Sequence, residues 1–302
     1  MPTHEHGRGA RAVVGAWQAA PELPHARAFV LAAIGILGLW AFVELGLTPA
    51  VMLPRGEDLR VLARFLSHAL HPALSYEGAY VPADAPPLLA KALDGARRTV
   101  MFAAASMSIA LVIGAVFGFL GSTAWWAGDS KGEAGSIGRV VGPAVYAVTR
   151  ITMTLLRSIH ELLWAVLFLS AFGLSGTSAA LAIAIPYGGT LAKVFSEMID
   201  EAPRDAADAL RGAGARPSQI YLFGLVVRAL PDIAAYTFYR FECAVRSSAI
   251  LGFFGPETLG KFIRQSWNES YYGEVWTYLY VLFALVAFMD WWSGALRRRF
   301  AA

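Results

Sequence analysis

Residues 196–231, SEMIDEAPRDAADALRGAGARPSQIYLFGLVVRALP, set a dense run of charge between long apolar segments, and that contrast decides how the chain is read. Glu197, Asp200, Glu201, Arg204, Asp205, Asp208, Arg211 and Arg216 crowd its first half. An ionised side chain at the centre of a membrane span costs about 2.5–3.5 kcal/mol, so this half lies outside the hydrocarbon. Pro203 suits a first helical turn, Ala206, Leu210 and Ala213 recur on one helical face, and Gly212 and Gly214 suit a helix end with positive φ. A second helix opens at Pro217. The expectation is two short helices joined by a glycine turn, a knob between spans that another protein can grip.

Composition points the same way. Of 302 residues, 57% are hydrophobic and only 16% charged, against the roughly 25% charged of a soluble domain. The formal net charge of +3 comes from arginines scattered along the chain, which excludes a nucleic-acid surface. The single cysteine, Cys243, excludes an intramolecular disulfide and reads as a packing residue.

About six spans are expected, since roughly 20 apolar residues at 1.5 Å each cross the bilayer core. They fall at 28–47, 99–120, from 151 to a turn at 173–177, 178–195, 229–254 and 275–295. Residues 1–27, with Arg8, Arg11 and Arg27, form a cytoplasmic amino-terminal tail, and 28–302 form one transmembrane domain. Arg297-Arg298-Arg299 places the carboxyl end inside as well. Segment 48–98 becomes an extracytoplasmic loop and 196–231 a cytoplasmic one. Arg55, Arg60, Arg64, Lys91, Arg97 and Arg98 oppose the outside placement of 48–98, which rests on the six-span count. Within that loop Leu59, Leu62, Ala63, Leu66 and Leu70 keep the period of an amphipathic helix. His68 and His71 near its end are too few ligands for a metal.

Chemical motifs are mostly informative by failing. His160-Glu161-Leu162-Leu163-Trp164 starts as a zinc-protease motif, but Trp164 stands where the second histidine is required. Glu161 is instead expected to pair with Arg157, four residues earlier on one helix face. No G-x-x-x-x-G-K-S/T occurs, so any ATP that drives this protein binds to another chain. No paired histidines or aspartates at helical spacing suggest an intramembrane enzyme. Arg240, Glu242, Arg246 and Ser247 fall inside the expected fifth span, where ionisable groups line cavities or pathways. Glu242 and Arg246 share a helix face, so a structural ion pair and a water-filled translocation pathway are both open readings. An arginine there suits an oxyanion held weakly enough to be released.

These residues carry a resemblance. Asp208-Ala209-Leu210, then Gly214 and the approach to Leu230-Pro231, are similar to the "EAA" cytoplasmic loop of ABC-importer permeases. Asp208 replaces the usual glutamate, and the pattern's closing proline would fall at Val227. The run from Arg157 through Ala165, Tyr239-Arg240-Phe241-Glu242 and Val245-Arg246-Ser247 resemble phosphonate-type permeases, which usually carry proline at the place of His160. The likeness covers about residues 60–295. It implies an all-α polytopic protein of the cell (inner) membrane with the ABC importer permease fold. It further implies two ATP-binding cassette subunits that bind ATP and Mg, a second permease copy in a homodimer, and an extracytoplasmic substrate-binding protein. Glu201, Arg204, Asp205, Asp208, Ala209, Leu210, Arg211 and Gly214 would couple to the ATPase. The cargo would be phosphonate or a related phosphorus oxyanion. Another small anion or ion is the alternative, and a non-transporting structural membrane protein would not need the knob.

Overall fold

The computed structural model describes residues 24–47, 56–79, 81–82, 84–129, 138–173 and 175–300. The amino-terminal tail up to residue 23, with Arg8 and Arg11, lies outside the described residues, as do residues 48–55. Regular structure among the described residues is all helical, and contacts divide the chain after Ala63 into two units. The first holds α1 (Pro24–Glu44), apolar on every face as a lipid-facing helix would be, and ending beside Gly46 at φ 62. α2 (Gly56–Ser67) crosses the division, with Glu57 and Asp58 in its first turn and Arg64 in its last, each complementing the helix dipole.

The second unit is a helical bundle. It comprises α3 (Leu88–Leu120), α4 (Thr123–Asp129), α5 (Gly138–Ser158), α6 (Glu161–Phe172), α7 (Gly176–Glu201) and α8 (Asp205–Gly212). α9 (Pro217–Gln219) then continues through a π-helical stretch, Ile220–Val226, into α10 (Val227–Leu251), followed by α11 (Leu259–Asn268) and α12 (Tyr272–Phe300). Among the described residues four helical segments are long and apolar enough to cross a membrane, and α5 with α6 makes a fifth, broken one. With α1, every expected apolar segment is helical, which fits the expected count of about six.

Two expectations change in detail. α3 begins at Leu88 and not at Thr99, because the charges before its apolar run satisfy one another on the helix. Asp94 binds Arg97 and Arg98 at 2.7 Å each, and Arg98 reaches Glu257 at 2.9 Å. The span expected from residue 151 is not one rod, since α5 and α6 meet at 87°. His160 is extended there (ψ 145) and caps α6 by accepting the Leu162 N–H on its side chain. Arg157 and Glu161 therefore lie on different helices and form no ion pair. Glu161 instead lies 3.5 Å from His160 and accepts a hydrogen bond from Ser247 at 2.9 Å.

α7 is the central helix. It runs parallel to α3, with contacts that advance from Phe102 beside Gly176, through Ile113 beside Gly188, to Gly118 beside Phe195. Adjacent glycines admit neighbours on two sides. A Cβ on Gly188 would sit 2.7 Å from Ile113 of α3, and one on Gly189 would sit 2.7 Å from Leu156 and 3.1 Å from the Met153 carbonyl of α5. Ala103, Ala110, Ala179, Ala182 and Ala192 are fully buried along the same interfaces. Small residues bring helix backbones close, and dispersion then replaces the hydrophobic drive that lipid cannot supply.

This packing predicts that Gly189→Leu lowers the yield of folded protein and its melting temperature, at a cost of about 1–3 kcal/mol or more. Gly212→Ala, where an added Cβ meets nothing within 4 Å, should be tolerated. Thermal unfolding of the purified variants in detergent checks both; an unchanged melting temperature in Gly189→Leu contradicts the close packing.

Candidate functional site

The charged stretch folds into the helical knob. α8 ends in a complete glycine cap: Gly214 has φ +75, its N–H bonds the Arg211 carbonyl at 3.1 Å, and the Ala215 N–H reaches back to Leu210 at 3.0 Å. Gly212 stays helical, so only Gly214 of the two expected glycines takes positive φ. α8 starts at Asp205, with Pro203 outside it, and its buried contact is Ala207, with Leu210 half-buried; Ala206 and Ala213 face outward. Ala207 rests on Gly224 of the π-helical stretch, where a Cβ would lie 3.0 Å from the Ala207 Cα. Pro217 opens the next helix, and the Gln219 side chain accepts the Arg216 N–H at 2.9 Å.

Beneath the knob is its own small core of Ile199, Ala202, Ala207, Ile220, Tyr221 and Leu225, with Phe119 and Trp125 packed against it. Asp200 ties this core to the end of α3. Its carboxylate accepts from the Ser122 hydroxyl at 2.6 Å and from the Thr123 and Ala124 N–H groups at 2.9 and 3.0 Å. Glu201, Arg204, Asp205, Asp208, Ala209 and Arg211 are left on the exposed surface. Asp208 and Arg211 pair there, and an exposed pair of this kind contributes little stability.

Midway along α10 lie the ionisable groups of the apolar bundle, and they do not form one group. At 100° per residue, Arg240 and Ser247 share one face while Glu242 and Arg246 share the opposite one. Ser247 meets the Tyr187 hydroxyl of α7 at 3.0 Å and donates to Glu161 of α6 at 2.9 Å. The Arg240 guanidinium lies over the Tyr187 ring, 4.7 Å from its centroid, and 5.8 Å from that of Tyr236. On the other face Glu242, 5% exposed, pairs with Arg246 and lies 4.0 Å from Arg297 of α12. Arg297 also approaches Asp290 at 3.9 Å and the Tyr239 ring at 5.9 Å. Sequence reading missed Tyr187 and Arg297 as partners; the tyrosine's only signal was a hydroxyl between Pro186 and Gly188 in an otherwise apolar run.

At the end of the bundle away from the knob, a cavity of about 960 Å³ opens between Tyr76, Val81, Pro82 and Pro86 on one side and α11–α12 on the other. Lys91, Asp94, Arg98, Glu257 and Phe262 are among its lining residues. Its wall is held by reciprocal bonds: the Glu77 N–H donates to Glu274 at 2.9 Å, and the Gly273 and Glu274 N–H groups donate to Glu77 at 3.1 and 3.4 Å.

Residues 134–302, which contain both the knob and the polar cluster, match the family described as "Binding-protein-dependent transport system inner membrane component". The chain belongs to this family. Its fold is accordingly that of an inner-membrane permease, and its span helices and knob fit that assignment. The phosphite transport system permease protein PtxC of Stutzerimonas stutzeri is 32% identical over 158 residues, 52% of this chain and 58% of that protein. The phosphate-import permease protein PhnE of Mycolicibacterium smegmatis is 31% identical over 156 residues, 52% of this chain and 29% of that protein. The chain thus spans less than two thirds of the length of these curated relatives. A chain of the MetNI methionine ABC transporter, in an inward-facing conformation, superposes with a TM-score of 0.58 at 21% identity, covering 72% of this chain and 99% of that one. A chain of an amino acid ABC transporter gives 0.57 at 15%, covering 70% and 94%. These two likenesses concern the fold.

The Glu242 geometry predicts an asymmetric mutational result. Glu242→Gln leaves Arg246 without an acid and Arg297 with Asp290 alone, and should lower the melting temperature, though by less than the about 3–5 kcal/mol of a fully buried pair, since Arg246 is half exposed. Glu242→Gln with Arg246→Gln should recover only part of the loss, because Arg297 then keeps only the exposed Asp290 and not the buried Glu242. Melting temperatures of the two variants check this, and full recovery in the double variant contradicts a role for Arg297.

Proposed function

We propose that the chain is the transmembrane permease subunit of an ATP-driven importer whose cargo is phosphonate or a related phosphorus oxyanion. The observation that carries this reading is the knob: a charged two-helix projection with its own core, placed between two spans and clasped to a third by Asp200. The named cargo of PtxC and PhnE, phosphite and phosphate, supports the substrate class. In this reading two ATP-binding cassette subunits, which bind ATP and Mg, grip the exposed face formed by Glu201, Arg204, Asp205, Asp208, Ala209 and Arg211. Leu210 and Gly214 hold that face in shape. A second copy of the permease completes the core as a homodimer, and an extracytoplasmic binding protein delivers cargo to the opposite end. The knob and the Arg297–Arg299 terminus face the cytoplasm, and the 960 Å³ cavity opens outward.

Mechanically, α8 cannot shift alone. Ala207 against Gly224 couples it to α10, and Asp200 couples the end of α7 to the α3–α4 corner. Closure of the ATPases would therefore move the inner ends of three spans together and tilt them between inward- and outward-open states.

Gly214→Val tests the coupling, since a β-branched side chain is disfavoured at φ +75. The variant should insert normally and copurify less ATPase, and ATP hydrolysis stimulated by cargo-loaded binding protein should fall about tenfold, the change of 1–2 kcal/mol expected from forcing such a residue into this region. Unchanged coupling overturns the role of the turn. Uptake of sulfate or another small anion with no uptake of phosphite or phosphonate overturns the substrate class.

A further inference from the structure

Several cations of the bundle have an acid, while in α5 Arg150 bonds the Tyr146 hydroxyl and Arg157 has no ion pair among the described residues. Arg246 has Glu242, Arg297 has Glu242 and Asp290, and Lys193 has Glu197 at 2.7 Å. Arg240 does not. No carboxylate among the described residues lies within ion-pair distance of it, and its buried Nε has no hydrogen-bond partner. It sits 13 residues into α10, about 20 Å along the helix, where a guanidinium without a counter-ion is unfavourable.

Two tyrosine rings hold it instead. The attraction of a cation to a ring face positions the charge without giving its N–H donors an oxygen acceptor. Tyr187 is itself oriented by a relay. Glu161 as a carboxylate only accepts, so Ser247 spends its one hydrogen on Glu161, and the Tyr187 hydroxyl must donate to Ser247. Glu161 is thereby engaged by Ser247 and close to His160, and it does not neutralise Arg240. A rigid guanidinium with free donors and a missing negative charge matches a small tetrahedral oxyanion, which accepts two parallel N–H bonds from one arginine.

We propose that Arg240, clamped by Tyr187 and Tyr236, is a transient binding station for the oxyanion within the bundle, with Ser247 and Glu161 as positioning residues. The inference rests on the transport reading above. It also explains how weak binding is compatible with passage: one guanidinium supplies the charge, and no second cation of the bundle faces it from α10.

The test compares wild type with Arg240→Gln, Arg240→Lys and Tyr187→Phe, each purified and also reconstituted with the ATPase subunits and binding protein. In detergent, millimolar phosphite or methylphosphonate should raise the melting temperature of wild type above that in chloride at equal ionic strength. Arg240→Gln should lose that increment while its ligand-free melting temperature stays level or rises, because an unpaired charge has been removed. Uptake by Arg240→Gln should fall on the order of tenfold or more, the loss of a charge-assisted hydrogen-bond pair, with Arg240→Lys and Tyr187→Phe intermediate. A lower ligand-free melting temperature with normal uptake in Arg240→Gln would make the arginine structural and overturn the station. An oxyanion increment that persists in Arg240→Gln overturns it as well. Failure of the transport reading shows differently, as wild type that takes up neither anion; the binding arm then decides the station by itself.

Discussion

Close contact at one pair of glycines is the constraint from which the bundle follows. Gly188 and Gly189 point about 100° apart on α7, so that one admits Ile113 of α3 and the other the Met153 and Arg157 backbone of α5. α7 can therefore sit between α3 and α5 with no room for lipid between them. Its two ends then have fixed positions. The Asp200 end carries the knob, and the middle carries Tyr187, so whatever moves the knob also moves the ring against which Arg240 rests.

Polar groups in this bundle are distributed by their partners more than by their charge. Glu242 is enclosed because Arg246 and Arg297 meet it, and Asp94 is tolerated on α3 because two arginines hold it. Ser248 and Thr99 pin the end of α10 to α3, with the Ser248 hydroxyl donating to the Thr99 carbonyl at 2.9 Å and the Leu259 N–H to the Thr99 hydroxyl at 3.3 Å. In a low-dielectric interior such bonds are hard to exchange with solvent, which favours discrete arrangements over gradual deformation. A bundle of this kind is suited to moving as coupled rods.

Much of this was legible in the residues. Charge density located the knob, and the glycine at 214 located its turn, since both signals are local. The helix limits were less legible because charge marks where hydrocarbon ends and not where a helix ends: α3 continues eleven residues upstream of its apolar run. The buried face of α8 was shifted by one residue because the helix starts at Asp205, after Pro203, which rotates Ala207 inward. The Arg157–Glu161 pair failed because helical spacing presumes a continuous helix, and the His160 cap breaks it. Asp200 read as one more surface acid, since its three donors lie 76 to 78 residues away. The split of Arg240 from Glu242 was available from helical geometry alone; their different partners, Tyr187 and Arg297, were not.

In the proposed topology the knob and the 960 Å³ cavity occupy opposite faces of the membrane, joined by α3, which starts at the cavity with Lys91, Asp94 and Arg98 and ends beneath the knob at Phe119. Accessibility of single cysteines tests it most directly, with Cys243→Ser as the background. Ser218→Cys lies on the exposed knob and Asn268→Cys on the exposed rim of the cavity. In intact cells an impermeant thiol reagent should label position 268 and leave 218 unlabelled, and permeabilising the inner membrane should expose 218. Labelling of both positions from the same side, or of 218 alone in intact cells, would contradict the account.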